Sequence, residues 1–253
     1  MFHVSAYHTS ATGALTLGDI PAVTDGWLTV QNSHFIYPRN LMLLSAAALS
    51  VNGTRAQMNT PHWRFVSQPE ITPIFTTWSA DTAFGQPMFS PPWLTIPRID
   101  EVQFLGSQGA ASTGGYSAFV WAGDGVMNKP QGDIYPTRAT ASVAGSTGTW
   151  ARGNLTFDQS LPAGWYSVVG MDVIASSAQV ARLRFQDYTM LPGVPVRSAA
   201  TGYVRPEWRY GGMGEYGRFN NTAQPTLEVF SQDGQAATQT IILDLVKVSG
   251  PTI

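Results

Sequence analysis

LTFDQSLPAGWYSVVGMDVIASSAQVARLRF, residues Leu155 to Phe185, decides the reading of this chain. Its middle, WYSVVGMDVIAS, is dense in aromatic and β-branched residues. Pro-Ala-Gly precedes it and Ser-Ser follows, which is strand chemistry between turns. An earlier stretch, LTVQNSHFIYPRNLMLLSAAALSVNGTRAQM (Leu28 to Met58), lies over it with small gaps. Leu28-Thr29 falls on Leu155-Thr156, Gln31 near Gln159, Pro38 on Pro162, Leu43-Leu44 on Ser167-Val168, and Arg55 near Arg182. The offset is about half the chain, the mark of an internal duplication. By that pairing NLMLLSAAALS (Asn40 to Ser50) is a strand, in spite of the helix propensity of its Leu, Met and Ala. Val51-Asn52-Gly53-Thr54 then reads as a hairpin turn, because Asn and Gly tolerate the positive φ of a type I′ turn.

A second pair of segments repeats the relation. VQFLGSQGAASTGGYSAFVWAG (Val102 to Gly123) resembles LEVFSQDGQAATQTIILDLVKV (Leu227 to Val248): a strand, a Ser/Gln/Gly turn region and a strand, so each half is expected to end in a hairpin. Between the paired strands lie Gln68 to Pro97 and Met190 to Pro225, both dense in Pro, Gly and aromatics. Loops of that length usually carry contacts or function. The join between halves is placed in GDGVMNKPQGDIYPTRA (Gly123 to Ala139), where Asp-Gly, Asn-Lys-Pro and Gln-Gly break regular structure. The expected fold is all-β. It comprises two tandem eight-stranded antiparallel sandwiches, residues 1–128 with a long loop at 68–97 and residues 129–253 with a long loop at 190–225.

Composition bounds the function. Of 253 residues only 12% are charged, while 43% are hydrophobic, with 25 Gly and 17 Pro. A free monomer coats itself with charge for solubility, so sparse charge suits a subunit covered by copies of itself. A neutral secreted β domain is the plainer alternative. The net charge is -2, and Lys occurs only at Lys129 and Lys247 among fourteen basic residues. No basic arm or run is present, so no direct nucleic-acid binding is expected. The absence of Cys removes disulfides and thiolate metal sites. MFHVSAYHTSATG at the start lacks the pattern of a signal peptide, and no run reaches eighteen apolar residues, so synthesis in the cytoplasm is expected.

Motifs for chemistry fail on context. Gly212-Met-Gly214-Glu-Tyr-Gly217 matches G-x-G-x-x-G, but RPEWRY precedes it in place of a buried strand, and RFNNTAQP cannot open a long helix. It reads instead as a tight loop whose rings offer contact area. His3, His8, His34 and His62 lack metal-ligand spacing. No G-x-S-x-G elbow occurs. Asp100 and Glu101 are adjacent and so face opposite ways, and Asp172, Glu228 and Asp244 read as outward-facing positions of alternating strands. The sequons at Asn52, Asn154 and Asn220 are chance matches without a secretory signal. Trp63, Trp78 and Trp93 could stack on sugars, and protein contacts explain them equally well. No catalytic residue, metal or cofactor is assigned, and the chain is expected not to be an enzyme.

The duplicated segments and the two terminal strand pairs resemble the double jelly-roll major capsid proteins of tailless icosahedral DNA viruses, which are often membrane-containing. The resemblance is one of pattern and covers most of the chain. It implies two jelly rolls per subunit and a homotrimer with a pseudo-hexameric outline. It also implies a place in the virion beside penton or minor proteins, over an underlying membrane or accessory layer. Binding energy would then be the function, centred on aromatic anchors. The candidates are Trp78, Phe84, Trp93, Trp208, Tyr210 and Tyr216. Two other readings stay open: a phage spike or receptor-binding protein, and a carbohydrate-active β-sandwich enzyme with two close carboxylates.

Overall fold

β-strand is the only regular element among the described residues of the computed structural model. In the first half the described residues are the strands β1 (Phe2–His8), β2 (Thr16–Leu17), β3 (Thr24–Asp25), β4 (Leu28–Gln31), β5 (His34–Ile36), β6 (Leu41–Leu49), β7 (Gly53–Asn59), β8 (Ile74–Phe75), β9 (Thr95–Ile96), β10 (Glu101–Gln108) and β11 (Tyr116–Gly123). Apart from residues 103 and 105–107, only their backbone paths are described. In the second half, residues 130–145, 150–174, 178–186, 193–195, 215–231 and 237–250 are described. They hold β12 (Ile134–Val143), β13 (Trp150–Asn154), β14 (Thr156–Phe157), β15 (Trp165–Ile174), β16 (Ala178–Arg184), β17 (Gly193–Pro195), β18 (Gly217–Asn220), β19 (Thr226–Ser231) and β20 (Ala237–Val248).

The described part of the chain is all-β, built from antiparallel sheets, one of them curled into a half-barrel. The single parallel ladder described is a short one, Ala48 to Ile74 and Leu49 to Phe75. Two sheets use only β1 to β11. One runs β1-β11-β6-β8 with β9 also on β6, and the other runs β2-β10-β5-β4-β3 with β7 on β10. Two more use only β12 to β20, in the orders β14-β12-β20-β15-β18 and β13-β19-β16-β17. Every described strand pair therefore lies on one side or the other of the stretch between Gly123 and Ile134.

Consecutive strands do not pair where the sequence promised hairpins. β6 belongs to one sheet and β7 to another, and the same holds for β10 and β11 and for β19 and β20. The strands flanking each of these junctions belong to different sheets. Local turn chemistry cannot distinguish a hairpin from a connection between sheets, because both need the same break. The expected loops at 68–97 and 190–225 also need correction. They contain β8 and β9, and β17 and β18, runs of two to four residues that are too short for a periodicity to register.

In the second half one apolar layer lies between the two sheets. β12 contributes Ala139, Ala141 and Val143, and β20 contributes Ile241, Leu243 and Leu245. β16 and β19 answer with Ala181, Leu183, Leu227 and Val229. β15 departs from simple alternation. Tyr166 and Val168 face the core, a bulge falls between Val168 and Gly170, and Met171 and Val173 face the core after it. The extra residue restores the inward parity that a straight strand would lose. At one end the ring of Phe219 lies 5.9 Å from Tyr166 and 6.3 Å from Phe157.

Two glycines are required by this packing. Gly217 has φ +149, and a Cβ there would lie 2.6 Å from the Phe185 ring. Gly153 brings β13 against β12, where a Cβ would meet the Ser142 carbonyl oxygen at 2.5 Å. The final glycine of the G-x-G-x-x-G letters thus serves ring packing and backbone conformation. Turn chemistry closes the same end: Asn221 N donates to Gly164 O at 3.0 Å, and Gly164 N donates to Asn221 Oδ1 at 3.0 Å.

Leu243 is fully buried in this layer, whereas Ile134 is 54% exposed. Leu243→Ala should lower unfolding free energy by about 2–5 kcal/mol, and Ile134→Ala by about 0.5 kcal/mol or less, measured by urea denaturation. Equal effects would contradict the placement of the core.

Candidate functional site

The face of the second sheet opposite the core is where charge concentrates. Arg152 on β13, Glu228 on β19 and Arg182 on β16 are direct cross-strand neighbours, since the register sets Glu228 opposite both arginines. Their neighbours Ala181, Leu183, Leu227 and Val229 take the core side. Strand alternation therefore forces the three charged side chains onto one outer face. Arg184, two residues beyond Arg182, shares it.

Glu228 is the centre of this group. Its Oε2 accepts from Arg182 Nε and pairs with Arg182 Nη2, both at 2.7 Å. Its Oε1 accepts from Arg152 Nη2 at 2.7 Å, Arg152 Nε at 3.2 Å and Arg184 Nη1 at 3.4 Å. The side chains of Glu228 and Arg182 are 4% and 3% exposed, while those of Arg152 and Arg184 are 51% and 28% exposed. Trp150 stacks on one member of the group, with the Arg182 guanidinium carbon 3.9 Å from its ring centroid, a cation–π contact. Burial alone would push the Glu228 carboxyl up. The Arg182 charge, hydrogen bonds from Arg152 and Arg182, and the Arg152 charge outweigh burial and hold it below its ordinary value.

A second polar group occupies the non-core face of the other sheet. Asp172 sits opposite Ile242 and Asp244 opposite Gly170, so the two aspartates are diagonal neighbours on β15 and β20, each 2% exposed. Ser167 on the same face is fully buried. Nearby on β18 and just before it, Arg218 Nε donates to Glu215 Oε1 at 2.5 Å and Arg218 Nη2 donates to Glu215 Oε2 at 3.2 Å. The hydroxyl of Tyr216 is pushed up first by burial and then by the charge of Asp244. β12 alternates between buried and exposed residues, whereas eight consecutive residues of β15 are buried. β12 thus faces solvent on its second side, whereas β15 is covered on both.

No family model, curated protein or solved structure matches the chain.

Of the six candidate interface residues, Tyr216 alone is described. It is 1% exposed and packs into the core of its own chain, so its ring area is already spent internally. Trp78, Phe84, Trp93, Trp208 and Tyr210 lie outside the described residues. His3, His8 and His34 fall in β1 and β5, where only the strand path is described. Asp172, Glu228 and Asp244 do occupy the alternate face of their strands, but that face is covered and they do not meet solvent. Asn220 uses its side chain in a turn, where Oδ1 accepts from Thr222 N at 3.1 Å and Thr222 Oγ1 at 2.8 Å. The Arg152, Arg182, Arg184 and Glu228 group was invisible as a cluster, because its members are up to 76 residues apart. The alternation of Arg182 and Arg184 with Leu183 was the available signal.

Replacing Glu228 by Gln leaves Arg182 buried beside a neutral partner and should cost roughly 3–5 kcal/mol in urea denaturation. Because the folded carboxyl titrates below its unfolded value, near 4.5, the unfolded state takes up the proton first. The stabilisation is complete above that value and is lost as pH falls through the lower folded one. The acid limb of the stability profile should be steep in the parent chain and shallower in Glu228→Gln. Parallel limbs would contradict the ion-pair account.

Proposed function

We propose that the chain is a structural virion protein, a major capsid subunit that assembles through trimers into an icosahedral shell. The observation that carries this reading is the strand order of the second half. With the two-residue β14 set aside, its eight strands in chain order form one sheet as first-eighth-third-sixth and the other as second-seventh-fourth-fifth. That order supports a jelly roll, two Greek keys wrapped into a sandwich, an architecture shared by viral capsid and lectin domains and by cupins. Fold alone does not choose among these, so the function rests on further features.

The first half supplies the main one. With β3 to β5 set aside, its first, eighth, third and sixth strands (β1, β11, β6, β9) pair in the same order as β12, β20, β15 and β18. Its second, seventh and fourth strands (β2, β10, β7) pair like β13, β19 and β16. β8 departs from the pattern, since it pairs with β6 and not with β7. Two such halves in one sparsely charged chain favour a tandem jelly-roll subunit over a single-domain lectin or cupin. The pairing also supports a division near residues 128 and 129.

Association is a matter of covering apolar surface. Among the described residues Ile134 and Tyr135, at 54% and 45% exposure, are the large hydrophobic side chains left open. They begin β12, where Ile134 to Arg138 pairs with β20 on one side while β14 reaches only Ala139 and Thr140. We take Ile134 and Tyr135 as the first candidates for burial between subunits. A carbohydrate enzyme gains no support from Asp172 and Asp244, because both carboxylates are shielded from a soluble sugar. The role is non-enzymatic, with the partners being further copies of the chain, penton or minor proteins, and an inner layer or membrane.

Light scattering coupled to size exclusion should give a particle three times the 27.3 kDa of the chain, and electron microscopy should show larger closed assemblies at high concentration. Tyr135→Glu should shift the trimer toward monomer. A monodisperse monomer at all concentrations would contradict the proposal, and an isolated trimer that never assembles further would favour the spike reading.

A further inference from the structure

Three guanidinium groups converge on Glu228, and one carboxylate cannot match them. Arg182 takes Oε2 through two nitrogens and is buried with it. Arg152 and Arg184 are left to share Oε1. Because both reach the same oxygen, their guanidinium groups sit side by side despite their like charge. Both stay open to solvent, at 51% and 28% side-chain exposure. The remaining donors include Arg152 Nη1 and, on Arg184, Nε and Nη2, since only Nη1 of Arg184 approaches Glu228, at a long 3.4 Å.

We propose that Arg152 and Arg184 together bind a phosphate dianion, either inorganic phosphate or the terminal group of a phosphate monoester. Charge selects the ligand class. Two guanidinium charges sharing an already committed carboxylate are balanced by a group carrying nearly two negative charges, which a phosphate monoester does at neutral pH. A carboxylate or a phosphodiester supplies only one. Geometry agrees with charge, because the planar fork of Arg matches tetrahedral oxyanions with paired N–H donors. Glu228 is a positioning residue here: it holds the two forks together before the ligand arrives, so little ordering remains to oppose binding. The Arg182 guanidinium beside them stacks on the Trp150 ring. None of this depends on the capsid reading, since it uses only the outer face of β13, β19 and β16.

The test is calorimetry on the full chain, titrated with sodium phosphate and separately with sodium chloride at equal ionic strength. Saturable heat is expected with phosphate and none with chloride. Arg152→Gln and Arg184→Gln should each weaken phosphate binding by about tenfold or more, the effect of losing roughly 1.4 kcal/mol of charged hydrogen bonding. Arg138→Gln should leave it unchanged, because Arg138 lies near Asp158 on the other sheet, 3.8 Å from its carboxylate. A nucleoside monophosphate and vesicles bearing phosphatidate serve as monoester probes, and an oligonucleotide without a terminal phosphate serves as the diester probe. Tighter binding of the monoesters supports the assignment. Diester binding as tight as that of phosphate overturns it, as does a phosphate heat equal to that of chloride or one surviving both substitutions. Should either Gln variant fail to fold, the other, together with Arg184→Lys, which keeps the charge but loses the fork, decides the same question.

Discussion

The pairing of the first strand of the second half with its last is the constraint from which the rest of that half follows. β12 and β20 run side by side over ten residues, Ile134 opposite Val246 through Val143 opposite Ala237. No local turn can make that ladder, because about a hundred residues of chain separate its two sides. Once it forms, β15 can add to the free side of β20, and the strands between are left to build the facing sheet. Most successive strands then alternate between the two sheets, as β12 and β13, β15 and β16, β18 and β19, and β19 and β20 do, while β16 and β17 stay paired within one sheet. Contacts of such long sequence separation pay loop-closure entropy before they return packing energy, and slow folding is the physical consequence.

The charged groups mark what lies outside the core. A two-layer sandwich normally offers its outer faces to water, yet Glu228 and Arg182 on one sheet and Asp172 and Asp244 on the other are almost fully buried. Charges in such places are retained only with partners, since an unmatched one costs several kcal/mol. On the second sheet Glu228 answers this by drawing three arginines together and cross-linking β13, β19 and β16 through side chains. The same act of pairing leaves two arginines with more charge than they have answered. Stability inside the sheet and the proposed phosphate affinity at its surface would thus arise from one carboxylate.

Much of the fold was legible in the sequence. The strands at Trp165 to Ile174 and at Leu41 to Leu49 were read correctly, since aromatic and β-branched runs between turn residues leave few alternatives. What sequence could not supply was the partner of each strand. Val51 to Thr54 reads as a hairpin, yet the strands on either side join different sheets, because a turn constrains only the residues within it. Nor could alternation tell that the second face of β15 is covered. Asp172, Glu228 and Asp244 were placed on the right face and given the wrong surroundings. The site was the least legible part, as its four charged residues meet only through the register of three separate strands.

Ladder formation between β12 and β20 can be measured directly, because the chain has no cysteine to interfere. Ser142 and Thr238 face each other across that ladder, and both are exposed. The double variant Ser142→Cys, Thr238→Cys places two thiols on directly opposed residues, within the Cα separation a disulfide requires. Under mild oxidation the account predicts rapid, near-complete intramolecular cross-linking with a raised melting temperature. Thiols that remain free in a folded, soluble chain would contradict it.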